Sequence, residues 1–301
     1  MTVRSAISRL TDHEGLNFLL TNRIPRRALT RFAAWFSKIE QPLVRNLSIA
    51  TWRLFCDLDL SEAKNAQFSS LHACFIRELK EGARPINADP TLLVSPCDGI
   101  VGAAGAIADN VLLQVKGFAY TLEDLLCDRE LAALYRHGSY VTLRLTAGMY
   151  HRFHAPHDCR VEQVSHIAGD AWNVNPATLK RIEKVYCRNE RALLRLLLAN
   201  GQVVTLVAVA AILVAGIRLR FLEVPSDRRR RDWSVHPADI RLAKGEEIGW
   251  FEHGSTIIVL APSGFNLSRH LHTGRLMRMG EPLLGLPPLP PADERGTRVR
   301  Q

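Results

Sequence analysis

The chain has 301 residues, 47% of them hydrophobic and 23% charged, which allows a sizeable folded core and excludes a disordered chain. Its net charge is +9, and residues 1–55 hold nine Arg/Lys against three Asp/Glu, so the basic excess is concentrated at the front. Six cysteines without a CxxC pair exclude a disulfide framework or a zinc knuckle and read as reduced thiols.

A basic front seeks an anionic partner, either nucleic acid or a membrane surface. No zinc-finger, homeodomain or RNA-binding signature accompanies it, so a membrane is expected and nucleic acid is not. Over residues 26–41, RRALTRFAAWFSKIEQ, the apolar Leu29, Phe32, Phe36 and Ile39 recur at helical spacing, with Arg27, Arg31 and Lys38 on the other side. This predicts an amphipathic helix with a basic face, ended by Pro42. Such a helix can pack on its own domain or lie in a membrane interface, and its aromatic and Arg content favours the interface. SIATWRLFC predicts a second helix, and Phe68, Leu71, Phe75 and Leu79 predict a third that Gly82 stops.

After Gly82 the texture changes to short Val/Leu/Ile runs broken by Pro, Gly, Asn and Asp, which predicts strands and turns. YVTLRLT (140–146) alternates as a strand does, and Asn200-Gly201 between two apolar runs predicts a hairpin. The longest apolar run, from Leu206 to Ile217, has twelve residues, short of the roughly 18 that span a bilayer. No secretory signal pattern is present, since LNFLL lacks the length and the small-residue cleavage site. The expected architecture is α+β. It comprises a helical membrane-associating region over 1–80, a β-rich and mainly antiparallel catalytic core over 81–286, and a flexible Pro-rich tail over 287–301.

Four places offer chemistry. His151, His154 and His157 in YHRFHAPHD could ligate a metal if helical, act as acid or base, or serve structure alone. Pro156 and the preceding strand pattern oppose a helix, and no nearby Glu or Cys completes a ligand set, so acid/base work is favoured and no metal is expected. Asp98 in SPCDGIV sits in an Asp-Gly turn, which alone explains it. The run Arg228 to Arg231 reads as a solvated loop. Ser255 in WFEHGSTIIVLAP is not in a GxSxG elbow and has no base beside it, so by itself the step Gly254-Ser255-Thr256 says little.

Taken in order, FIRELKEGARPI (75–86), SPCDGIV (95–101), QVKGFAYTLEDLL (114–126), YHRFHAP (150–156), WNVNP (172–176), RNERAL (188–193) and GEEIGWFEHGSTIIVL (245–260) resemble the phosphatidylserine decarboxylase proenzymes, membrane-associated bacterial type. The resemblance implies that Ser255 attacks the Gly254 carbonyl and that the chain splits between them. β-Elimination then leaves residue 255 as an N-terminal pyruvoyl group, with a β chain of 1–254 and an α chain of 255–301. The pyruvoyl cofactor would serve as the electron sink for converting phosphatidylserine to phosphatidylethanolamine and CO2 in phospholipid biosynthesis. Asp98 and His154 match the family's aspartate and histidine that form a protease-like triad with the serine, and His151, which matches the other histidine of the motif, is the candidate to assist decarboxylation or protonate the product carbanion.

The resemblance further implies a peripheral protein on the cytoplasmic face of the cell membrane, and the family suggests a homodimer. Three residues depart from the family pattern: His253 beside the scissile bond, Met149 where many members have Asp, and Cys97 for Ala. Two readings from other classes stand beside this one. They are a self-cleaving hydrolase that keeps Ser255 as an N-terminal nucleophile, and a membrane-binding homologue that never cleaves.

Overall fold

From Leu92 onward, short Val, Leu and Ile runs between turn residues form most of the strands. The computed structural model describes residues 26–56, 58–113, 118–211, 216–222, 234–252 and 255–288. The LNFLL patch, the Arg228–Arg231 run, the His253-Gly254 step and the tail beyond residue 288 lie outside the described residues.

In chain order the helices are α1 (Arg26–Phe36), α2 (Pro42–Phe55), α3 (Leu71–Phe75), α4 (Leu122–Leu126), α5 (Arg129–Leu134), α6 (Pro176–Leu179) and α7 (Val185–Arg188). The strands of the first half are β1 (Leu92–Val94), β2 (Gly99–Ala106), β3 (Val111–Leu113), β4 (Ala119–Thr121), β5 (Ser139–Leu145), β6 (Arg152–His154) and β7 (Cys159–Ile167). Those of the second half are β8 (Arg191–Leu198), β9 (Val203–Ala210), β10 (Ile217–Leu219), β11 (Ser234–Leu242), β12 (Glu247–Phe251), β13 (Ser255–Ala261), β14 (Asn266–Leu267), β15 (Leu276–Met277) and β16 (Pro282–Gly285).

An eight-stranded sheet in the order β11-β7-β8-β9-β13-β5-β2-β15 forms the core, and its pairs are antiparallel. All seven residues of β13 are buried, which is why TIIVLA shows no polar alternation. Each of Ile257, Ile258, Val259 and Leu260 is fully covered and contributes about 1.5–3 kcal/mol of burial. The Asn200-Gly201 turn joins β8 to β9 as expected, with Gly201 at φ +80°.

A second sheet, β10-β12-β6, delivers the chain to β13. β12 ends at Phe251, four positions before Ser255 opens β13. The sheet is tight at Gly249, where a Cβ would stand 2.0 Å from the Arg218 carbonyl oxygen, so no other residue fits.

The helical front differs from the sequence expectation in two details. α1 stops at Phe36, and Pro42 opens α2 instead of closing α1. At the first helical position a proline loses nothing by lacking an N–H, and the Gln41 side chain accepts from Val44 N to cap the turn. The helix predicted over 68–79 is only five residues long. Ser70 caps its start. Beyond Phe75 the buried Arg77 guanidinium bonds the Gly148 carbonyl at 2.9 Å and Leu79 bridges to Ala63, so tertiary contacts override the helical period.

Candidate active site

Ser255 is the first residue of β13, opposite Leu145 on β5 and Ala210 on β9. It is fully buried, and its Oγ has no hydrogen-bond partner among the described residues. An unsatisfied hydroxyl at the centre of a sheet costs about 1–3 kcal/mol, a cost expected at sites with work to do. Ser255 opens on a cavity of about 870 Å³ at the ends of β5, β9 and β13. The far wall is apolar and comes from the helical front: Phe36, Val44, Leu47, Trp52, Leu71 and Phe75.

The helices that cover this cavity are themselves poorly covered. α2 has no buried residue along its 14 positions. Phe32 and Trp35 on α1 and Leu43, Leu47, Leu54 and Phe55 on α2 are all more than half exposed. Six of the nine large apolar side chains exposed among the described residues thus lie on these two helices, and one of them, Leu47, lines the Ser255 cavity.

His154 lies on β6 and is buried. Its Nδ1 stands 2.9 Å from the Gly245 carbonyl oxygen, which can only accept, so Nδ1 carries the proton. Nε2 is then the acceptor, and the Tyr150 hydroxyl donates to it at 2.9 Å. Burial holds the imidazole below its usual pKa, against the raising effects of the Gly245 bond and the charges of Glu247 and Asp98. His154 lines a separate polar cavity of about 420 Å³ with Tyr150, Lys64, Lys80, Arg84 and Arg220.

Asp98 is buried just before β2 and receives Arg84 Nε and Nη2, the latter at 2.6 Å, together with Met279 N at 2.9 Å. The fork is supported on its other side by Glu62, 2.7 Å from Arg84 Nη1. Burial alone would lower the Arg84 pKa, but the hydrogen bonds and charges of Asp98 and Glu62 carry it above the ordinary value. The structure therefore brings Asp98 to Arg84, with His154 in its electrostatic neighbourhood, and no hydrogen bond joins Ser255 to either among the described residues.

His151 is fully buried, holds the Met149 carbonyl at 2.9 Å through Nδ1, and packs its ring 3.9 Å from that of Phe75, a wall residue of the Ser255 cavity. His157 instead ties Nε2 to the Pro90 carbonyl at 2.9 Å and has a structural place. Cys97 is fully buried, where desolvation raises its thiol well above the usual range. No group of three or more His, Cys, Asp or Glu among the described residues could hold a metal ion.

The family profile described as phosphatidylserine decarboxylase matches residues 71–285, a span that includes Asp98, both site histidines and Ser255. The chain belongs to the phosphatidylserine decarboxylase family. It is 36% identical over 267 residues to the phosphatidylserine decarboxylase proenzyme of Haemophilus influenzae, covering 86% of this chain and 92% of that one. The protein of the same name from Yersinia enterocolitica is 32% identical over 290 residues, covering 92% of this chain and 99% of its own. The one from Glaesserella parasuis is 33% identical over 271 residues. Membership of the phosphatidylserine decarboxylase family makes this chain a decarboxylase.

Several residues that shape the site were not singled out from the sequence. Arg84 and Tyr150 lie inside quoted landmarks, ARPI and YHR, but nothing local in the sequence pairs them with Asp98 and His154. Glu252, three residues before Ser255, is buried with His72 Nε2 at 3.6 Å and Arg218 Nε at 3.3 Å. Burial pushes its carboxyl up, but the adjacent His72 ring and the charges of Arg218 and Lys38 outweigh this and hold it at about 2.

Proposed function

We propose that the chain is a self-processing, pyruvoyl-dependent enzyme that converts phosphatidylserine to phosphatidylethanolamine and CO2 at a membrane surface. The observation that carries this reading is the placement of Ser255: buried, with its hydroxyl unspent among the described residues, at the end of an apolar cavity walled by helices that carry exposed aromatic and leucine side chains. Cleavage falls between Gly254 and Ser255, and yields chains of residues 1–254 and 255–301.

Residue 255 fits the pyruvoyl group. Its Oγ is an orphaned polar atom in a space large enough for a ligand, and Thr256 onward is locked in the central strand. Once formed there, the group supplies the conjugated carbonyl that draws off the electron pair left by the departing carboxylate. The chain's own residues do the rest. The apolar wall strips water from the substrate carboxylate, which favours its loss as neutral CO2. His154 carries its lone pair on Nε2, the atom that takes the Ser255 proton once Tyr150 releases it. Asp98 acts on that imidazole through its charge, which favours the protonated ring. His151, packed against the cavity wall, is assigned the proton delivered to the carbon that loses CO2.

The helical front supports a peripheral position at the cytoplasmic face of the membrane. Its exposed apolar residues sit among exposed Arg31, Lys38 and Arg53, a composition suited to an anionic interface. Among the described residues no helix is long and apolar enough to cross a membrane.

Intact mass of the purified chain, with and without borohydride and an amine, tests the reading. A fragment 255–301 whose blocked terminus is trapped by the amine supports it. The same fragment with a free serine amine would instead mean a hydrolase, and an uncut chain would reject self-processing.

A further inference from the structure

His151 sits between two stretches of chain that two arginines tie together. Just after α3, the Arg77 guanidinium donates through Nη2 to the Gly148 carbonyl at 2.9 Å and reaches back through Nη1 to the Cys74 carbonyl at 3.4 Å. In the opposite sense Arg152, the first residue of β6, donates through Nε to the Ile76 carbonyl at 2.9 Å. Between these ties the His151 ring packs against Phe75, and its Nδ1 donates to the Met149 carbonyl. The two carbonyls that Arg77 holds therefore belong to the residues just before Phe75 and just before Met149, the two residues that seat the histidine. Trp52 of α2 stacks on Phe75, with ring centroids 5.5 Å apart.

The charges of the two arginines are met differently. Arg152 pairs with Glu247 at 2.8 Å. Arg77 is buried, and its Nε has no hydrogen-bond partner among the described residues. Burial disfavours its charge, and Asp98 and Asp59 offset this only in part. A cation held without a close counter-ion is costly, and an apolar side chain of similar length would fill the space at less cost. Stability alone thus does not account for an arginine here. What an arginine adds is a planar fork that donates in two directions at once.

We infer that Arg77 is a positioning residue for decarboxylation: by joining the Cys74 and Gly148 carbonyls it seats the His151 ring against Phe75, with the proton on Nδ1. This rests on the proposed function, in which His151 delivers the proton to the carbon that loses CO2. Proton delivery to carbon needs the ring in line with that carbon, and a displacement of about 1 Å costs on the order of a hundredfold in rate. Self-cleavage draws on His154, whose ring is tied to Gly245 and Tyr150 instead. Arg77 therefore bears on the second reaction and not on the first.

Arg77→Lys keeps the charge without the fork, and Arg77→Met keeps only the length. In the processed protein, kcat for phosphatidylserine is expected to fall about ten- to a hundredfold in Arg77→Met, with KM within about twofold of the parent. Arg77→Lys recovers part of the loss. Fragment 255–301 forms at the parental rate in both variants. In the uncleaved Ser255→Ala chain, the Nδ1 proton of His151 is followed by imidazole NMR and identified by its loss in His151→Gln. It is expected to exchange slowly with water and to exchange faster once Arg77→Met is added.

An unchanged kcat would overturn the assignment. So would a fall in kcat with the Nδ1 proton unaffected, since Arg77 would then not act through His151. A rise in KM alone would place Arg77 on substrate binding and overturn it too. Loss of self-cleavage together with decarboxylation, or failure of both variants to fold, would show that Arg77 serves the fold instead. The two readings fail separately: wild-type protein that stays uncut or releases no CO2 loses the proposed function, whereas the Nδ1 proton in the Ser255→Ala chain reports on Arg77 in either case.

Discussion

The Tyr150 hydroxyl donates to Nε2 of His154 at 2.9 Å while Nδ1 of the same ring holds the Gly245 carbonyl. Both nitrogens are thereby committed, and the ring is neutral with a known tautomer. Donation to the bare Nε2 favours the neutral form, and burial acts in the same direction. The base proposed for self-cleavage is thus stored with its lone pair masked.

Tyr150→Phe removes the mask. The acid limb of the self-cleavage rate, which reports protonation of His154, is expected to move up toward the ordinary histidine range. For stability the sign is fixed by the depressed pKa: the unfolded chain binds the proton first, so stability is full above about pH 6.5 and falls as pH drops toward the folded value. A rate-pH profile of fragment 255–301 formation, taken for both proteins, checks this. An acid limb that does not move in Tyr150→Phe would show that His154 is not the titrating base.

Arg84→Ala leaves Asp98 buried with the Met279 amide as its one remaining partner among the described residues. Removing one member of a buried pair costs roughly 3–5 kcal/mol. Adding Asp98→Asn to Arg84→Ala should recover a large part of that loss. Denaturant unfolding of the two single variants and the double variant gives the coupling directly, and additive losses would mean that the pair does not act as a unit.

These two pairs mark where the sequence is legible and where it is not. Asp98, His154 and Ser255 stand out because their neighbours form ordered landmarks, and the β5 strand and the β8–β9 hairpin follow from alternation and from Asn200-Gly201. The partners do not. Arg84 reaches Asp98 from 14 positions away, and Gly245 reaches His154 from 91 away, so only the fold brings them together. The third predicted helix fails for a similar reason: its apolar period is real, but Leu79 answers to Ala63 on another segment.

Glu252 couples acid stability to the segment that enters β13. Its carboxyl is held at about 2 against an ordinary 4.5. Because the folded value is the lower one, the stabilisation is fully present above about pH 4.5 and is lost as pH falls toward 2. Glu252→Gln should flatten the fall of melting temperature across that window and lower stability at neutral pH. If the two proteins lose stability in parallel between pH 5 and 2, the carboxyl is not held as described.

The last prediction separates a helix that waits for a membrane from one that belongs to a core. Leu43, Leu47 and Leu54 on α2 are 76%, 70% and 52% exposed, so replacing all three by Gln should change the stability of the protein in water by only a few tenths of a kcal/mol per site. Were they packed in a core, each would cost about 2–5 kcal/mol. At a lipid surface the balance reverses, since each leucine that enters the acyl boundary contributes about 1.5–3 kcal/mol. Binding to anionic vesicles should therefore fall by more than tenfold while the melting temperature in solution holds. Neutral vesicles should bind both proteins more weakly, because Arg31, Lys38 and Arg53 lose their partners there. A triple variant that melts early and still binds vesicles would show that α2 serves the fold and not the membrane.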